Sequence, residues 1–105
     1  MKCAQVTTAV RTTQLDGFDI QEGDIIGLDG KKIIAKSDSV KDTAMTLVDK
    51  LADEDSEIIT LYYGEGVDKE QAEELKEEIQ EKFEDCEVEC YYGGQPHYHY
   101  FIAIE

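Results

Sequence analysis

Apolar positions recur with two different periods along this chain of 105 residues, and each change of period marks a change of element. Residues 3 to 12 are rich in Val, Thr and Ala, which suits a strand ending near Arg11. Asp16-Gly17 and Glu22-Gly23-Asp24 are turn signals. Ile25-Ile26-Gly27-Leu28 and Ile33-Ile34-Ala35, joined across Asp29-Gly30, predict a β-hairpin, because Asp-Gly tolerates the positive φ angles of a tight turn. The first third is therefore expected to be a β-meander. Val40, Ala44, Leu47, Val48 and Leu51 follow helical spacing, with Ser37, Asp38 and Ser39 as available N-caps, and predict a helix to about Ala52. Asp53-Glu54-Asp55 is an exposed connection. The nearly unbroken apolar run from Ile58 to Tyr63 predicts an interior strand covered on both faces.

A second helix starts at Asp68, with Gln71 three residues later in capping-box position. Ala72, Leu75, Ile79 and Phe83 form its buried stripe, while Glu73, Glu74, Glu77, Glu78 and Glu81 face water and Glu78 and Lys82 are spaced as an i,i+4 pair. Alternation returns from Cys86 to Tyr92, and after Gly93-Gly94-Gln95-Pro96 a last strand runs from about Tyr98 to Ile104. The order strand, helix, strand implies a crossover that sets the two flanking strands parallel. Both end in the same tripeptide, Tyr62-Tyr63-Gly64 and Tyr91-Tyr92-Gly93. These corners are expected at the carboxyl ends of parallel strands, where open α/β sheets place their binding crevices. The predicted fold class is α/β (α+β). It comprises a mixed sheet of about five to seven strands with two helices: an N-terminal β-meander, a β-α-β unit and a final hairpin strand, in one domain over residues 1–105.

Charge removes two partner classes. Ten cations stand against twenty-five acids, a net charge of −15, whereas nucleic acid and anionic membrane surfaces both select cations. The acids concentrate between Glu65 and Glu89, which reads as a solvated face or as an acidic docking surface for a basic partner. No apolar stretch approaches the roughly 20 residues of a membrane-spanning helix. Met1 to Gln5 runs into a strand pattern without an apolar signal segment, so a cytoplasmic location is expected. Of three cysteines, Cys86 and Cys90 share a strand face but lie roughly 13 Å apart along it, too far for a bridge. They read as small buried hydrophobes in a reducing compartment.

Candidate chemistry is sparse. The chain has no phosphate loop, dinucleotide fingerprint or nucleophile elbow, so no catalytic residue is assigned and no cofactor is expected in this chain. His97 and His99, spaced i,i+2, are compatible with two zinc ligands if Cys86 or Cys90 adds a thiolate from a neighbouring strand; the alternative is two ordinary sheet residues. Arg11 is the only arginine and either ties down an internal acid or grips an external anion. The strongest candidate surface is Tyr62, Tyr63 and Gly64 together with Tyr91, Tyr92, Gly93, Gly94, Gln95, Pro96 and His97. Tyrosines suit interfaces and paired glycines allow close backbone approach, though a tight loop at a strand end would use the same residues.

Four segments carry a resemblance: Val6-Thr7-Thr8-Ala9-Val10-Arg11-Thr12-Thr13, Gly23-Asp24-Ile25-Ile26-Gly27, Ser56 to Gly64, and Tyr91-Tyr92-Gly93-Gly94-Gln95-Pro96-His97-Tyr98-His99-Tyr100. In this order they are similar to the extreme C-terminal region of bacterial fatty acid kinase A proteins, also called DAK2-domain or dihydroxyacetone kinase-like proteins. The resemblance implies a longer parent, with ATP and magnesium bound by an N-terminal domain outside this chain. It implies a DegV-like fold of which this chain supplies the second lobe, so that a fatty-acid tunnel between lobes is incomplete here. It further implies a non-catalytic role in docking a DegV-like fatty-acid-carrying partner, alongside contact with other domains of the parent. Met1 would then be an engineered or fragment start, or else that of a stand-alone short protein. His97 and His99 stand where the family often carries proline or a hydrophobe. A fatty acid or phosphate group bound at the strand carboxyl ends is the alternative function.

Overall fold

The computed structural model describes residues 1–105 throughout. Chain order is β1 (Lys2–Thr8), β2 (Thr13–Leu15), β3 (Phe18–Ile20), β4 (Ile25–Asp29), β5 (Lys32–Ser37), α1 (Val40–Leu51), β6 (Ile58–Tyr63), α2 (Lys69–Lys82), β7 (Glu87–Tyr92) and β8 (Tyr98–Ile104). Six strands form one mixed sheet in the order β5-β4-β1-β8-β6-β7, while β2 and β3 form a separate ribbon. The main sheet falls within the five to seven strands expected. All its pairings are antiparallel except β6 with β7, which are parallel as the strand-helix-strand order requires.

Both helices lie on one face. Alternate strand residues meet them there: Val6, Ile59, Leu61, Ile102 and Ile104 pack with Leu47 and Val48 of α1 and with Leu75 and Ile79 of α2 in a single core. Ser39 is the residue that caps α1, its hydroxyl accepting from the Asp42 N–H at 3.3 Å. In α2, the Gln71 side chain reaches back to the Asp68 N–H at 3.3 Å, as the capping-box pattern predicts. Helix α1 approaches the sheet closely because Gly27 of β4 has no side chain. A Cβ there would stand 2.8 Å from Cγ of Leu47.

The opposite face carries a smaller core. Asp16 (φ 55°) and Gly17 (φ 85°) turn the β2–β3 ribbon back on itself, and the ribbon lays Phe18 and Ile20 over Ile26, Leu28 and Ile33. A β-bulge lets one strand serve both cores. Leu28 pairs with Ile33 and Gly27 with Ala35, leaving Ile34 as the extra residue. Ile33 therefore faces the ribbon while Ala35 faces the helices.

Four expectations are corrected. β6 is covered on one face only: Ile59 and Leu61 are buried, whereas Tyr62 is exposed, because no second helix layer exists. The final strand is not a hairpin partner of β7. It enters between β1 and β6, antiparallel to both, since its apolar positions Tyr100, Ile102 and Ile104 are all buried and need central strands as neighbours. β7, carrying Glu87 and Glu89, is left at the edge, where charges discourage further strand pairing. The β-meander is interrupted by the ribbon between β1 and β4. Finally, Glu78 and Lys82 do not pair with each other. Lys41 of α1 bridges Glu74 at 3.2 Å and Glu78 at 2.5 Å, and Lys82 bridges Asp49 at 2.8 Å, so the charges tie the two helices together.

Candidate functional site

The candidate residues gather where β1, β6 and β7 end and β8 begins. Tyr62 is paired with Tyr91 and Tyr63 with Tyr92, because β6 and β7 run parallel in register. Adjacent residues of a strand point to opposite faces. Tyr62 and Tyr91 consequently lie on the helix-free face, with ring centroids 6.0 Å apart, and Tyr63 and Tyr92 on the helix face at 5.3 Å. The predicted tyrosine site is thus split in two by the sheet. The Tyr91 hydroxyl is held above its ordinary pKa, chiefly by the charge of Glu89.

The glycines are explained by packing. Gly64 donates its N–H to the His99 carbonyl at 2.9 Å, and a Cβ on it would stand 2.2 Å from the Tyr98 carbonyl oxygen. Gly93 and Gly94 both donate to the Tyr63 carbonyl, and the Gln95 side-chain amide donates to the Tyr62 carbonyl at 3.0 Å. Residues Gly93 to Pro96 therefore form a staple that closes the end of β6, with their polar groups largely turned inward.

The staple ends in a strained turn. His97 has φ 70°, and the Tyr98 N–H donates to the Pro96 carbonyl at 2.8 Å, a three-residue turn of the rare form. Two adjacent hydroxyls of β1 hold it: Thr7 Oγ1 donates to the His97 carbonyl at 2.6 Å, and Thr8 Oγ1 lies 2.8 Å from Nε2 of His99. Burial holds the His99 imidazole below its ordinary pKa. A register shift in β1 between Val6 and Thr7 accompanies this clamp.

Beside the turn runs an open groove of about 620 Å³ walled by Thr7, Thr8, Val10, Glu65, His97 and Tyr98. A second groove of about 470 Å³ lies between the amino ends of the helices, lined by Lys41 of α1 and by Gln71 and Glu74 of α2. His99 borders both. Val10 stands proud of the first groove, 85% exposed. The next residue, Arg11, is exposed and engages no acid, so the expected internal ion pair is absent; the salt bridges of the fold are all made by lysines. The sequence offered no signal for Thr7, Thr8, Val10 or Glu65 as groove walls, because a strand end and a loop become a groove only once β8 inserts beside β1.

The zinc geometry does not form. Cys86 and Cys90 belong to β7 and the turn before it, and β6 separates that strand from β8. His97 is in the turn rather than on the strand, and no three His, Cys, Asp or Glu side chains converge to hold a metal ion. All three cysteines are free, and burial raises the thiol pKa of both Cys86 and Cys90. No helix is long and apolar enough to cross a membrane.

Comparison with known proteins accounts for the whole chain. Protein YloV of Bacillus subtilis is 41% identical over all 105 residues, which make up 19% of that protein. An uncharacterized protein of Staphylococcus haemolyticus is 37% identical, and one of Staphylococcus aureus is 34% identical, over the same extent. The chain spans about one-fifth of the length of these relatives. A family model for the C-terminal region of FakA-like fatty acid kinase proteins matches residues 1–105, and the chain belongs to that family.

Proposed function

We propose that this is a non-catalytic interaction domain of a cytoplasmic fatty acid kinase-like protein. It docks a DegV-like fatty-acid-carrying partner so that a separate ATP- and magnesium-binding domain of the parent can phosphorylate the carried fatty acid. The observation that carries this reading is the groove at the strand ends. It is open, it is overhung by an exposed valine beside an unpaired arginine, and its wall includes a His97 turn held in a strained conformation. Strain of this kind persists where the surrounding structure over-determines it, and it clusters at ligand clamps and switch regions. An unpaired guanidinium in a chain of net charge −15 is free for a carboxylate of the partner, while the net negative charge of the chain attracts a basic region of the same partner. Titrating isotope-labelled protein with a DegV-like carrier should shift the amides of residues 9–12 and 95–99. Unchanged spectra at millimolar carrier would sink the reading.

A second reading has one observation in its favour. A volume of about 620 Å³ falls in the usual range of small-molecule sites, so a fatty acid or phosphate group could lodge there. The groove is open along its length, whereas small-molecule sites bury most of their ligand, and this favours a protein segment over a free acyl chain. Direct titration with a free fatty acid separates the two.

A further inference from the structure

The strand-end groove owes its walls to a missing neighbour. β8 lies between β1 and β6, but it begins only at Tyr98, opposite Thr7. Past that point the end of β1, from Thr8 to Val10, faces the turn after β6, where Glu65 and Gly66 stand, across an open lane. Two strand spacings set the backbones of those walls roughly 10 Å apart. A helix with its side chains is itself about 10–12 Å across, so the lane admits one extended segment and not a helix.

Chemistry narrows the occupant further. Thr7, Thr8, Gln95 and His99 already engage their side chains within the fold. Glu65 is the only carboxylate on the walls, no ammonium or guanidinium stands there with it, and it belongs to no salt bridge. Glu74 and Glu78 of α2, by contrast, share Lys41. The backbone around Glu65 is fixed: its N–H donates to the Gln95 carbonyl at 3.2 Å, and the Val67 N–H donates to the Gly64 carbonyl at 3.1 Å. An acid held in place on a groove wall, with no cation beside it, is a counter-charge waiting for one.

We propose that Glu65 is the residue by which this groove selects its partner, pairing with a lysine or arginine side chain on an extended segment of the docked carrier. This rests on the docking reading above and adds to it the charge and shape of what enters. Arg11 and Glu65 then present opposite charges from different elements, which fixes the direction in which the segment lies. A segment with an acid at the Glu65 position is rejected by like-charge repulsion.

Calorimetric titration of a DegV-like carrier into the protein reads this, using Glu65→Gln and Glu65→Lys. Glu54→Gln, in the exposed connection at the opposite end of β6, is the control of equal charge. The inference predicts that Glu65→Gln weakens binding at least about tenfold, that Glu65→Lys weakens it further, and that Glu54→Gln changes it by less than about twofold. Thermal unfolding of Glu65→Gln should match that of the unaltered protein, since the side chain makes no salt bridge. Equal losses from Glu65→Gln and Glu54→Gln would overturn the inference, by showing only diffuse attraction to the net charge. Glu65→Lys binding no weaker than Glu65→Gln would overturn it too. An affinity for Glu65→Gln within about twofold of the unaltered protein would overturn it while leaving the docking reading in place. No binding by the unaltered protein would remove both together.

Discussion

Tyr62 on β6 stands directly across from Tyr91 on β7, ring centroids 6.0 Å apart and planes inclined by 31°. The pairing follows from a register that holds from Ile58 opposite Glu87 to Tyr63 opposite Tyr92. A repeated dipeptide in the sequence is thereby converted into two tilted ring pairs, one on each face. Each pair belongs to a different environment, and the rim between them is closed by the Gly93 to Pro96 staple.

The staple depends on the missing side chain of Gly64. A Cβ there would lie 2.2 Å from the Tyr98 carbonyl and 2.8 Å from that of Gln95, and neither backbone atom can yield without opening β8. Gly64→Ala is expected to destabilise the fold by about 2 kcal/mol or more in urea unfolding. Gly66→Ala, with open space around its Cβ, should change stability by less than about 0.5 kcal/mol.

Gly27 and Leu47 should be energetically coupled. A Cβ on Gly27 would stand 2.8 Å from Cγ and Cδ2 of Leu47, a fully buried side chain of the core. Gly27→Ala alone is expected to cost about 1–3 kcal/mol by overpacking. Leu47→Ala alone should cost about 2–5 kcal/mol by leaving a cavity. In the double variant the new methyl enters that cavity, so the combined loss should fall short of the sum by at least about 0.5 kcal/mol. Strict additivity would show that the two do not touch.

His99 should give the fold a pH dependence of definite sign. Burial keeps its pKa below the ordinary 6.5, so as pH falls the unfolded chain takes up this proton before the folded one does. The contribution is complete above the ordinary value and is lost as pH falls through it towards the folded value. Unfolding free energies measured between about pH 7 and pH 5 should therefore drop less for His99→Gln than for the unaltered protein. Parallel curves would show that the imidazole is not held neutral.

Elements, the parallel pairing of β6 with β7 and the helix-facing stripes were legible in the sequence because each is a local periodicity. Partner choice was not. Whether β8 joined β7 or crossed to β1 depended on which strand needed neighbours on both sides. The burial of Tyr100, Ile102 and Ile104 decided that only in three dimensions. The same insertion created the groove from Thr7, Thr8 and Val10, residues that look like plain strand and loop. Charge pairing was equally hidden: Glu78 meets Lys41 on the other helix rather than Lys82 on its own, a contact that helix spacing alone does not reveal.

The central claim is that the strand-end groove with Arg11 docks a carrier protein, and calorimetric titration tests it most directly. A DegV-like carrier would be titrated into the protein, unaltered, with Arg11→Ala, and with Lys31→Ala as a control of equal charge at a distant turn. Arg11 engages no acid, so its loss should leave thermal unfolding unchanged. The account predicts an affinity at least about tenfold weaker for Arg11→Ala, some 1.4 kcal/mol, and little change for Lys31→Ala. Equal affinities for all three proteins, or no binding by any of them, would contradict it.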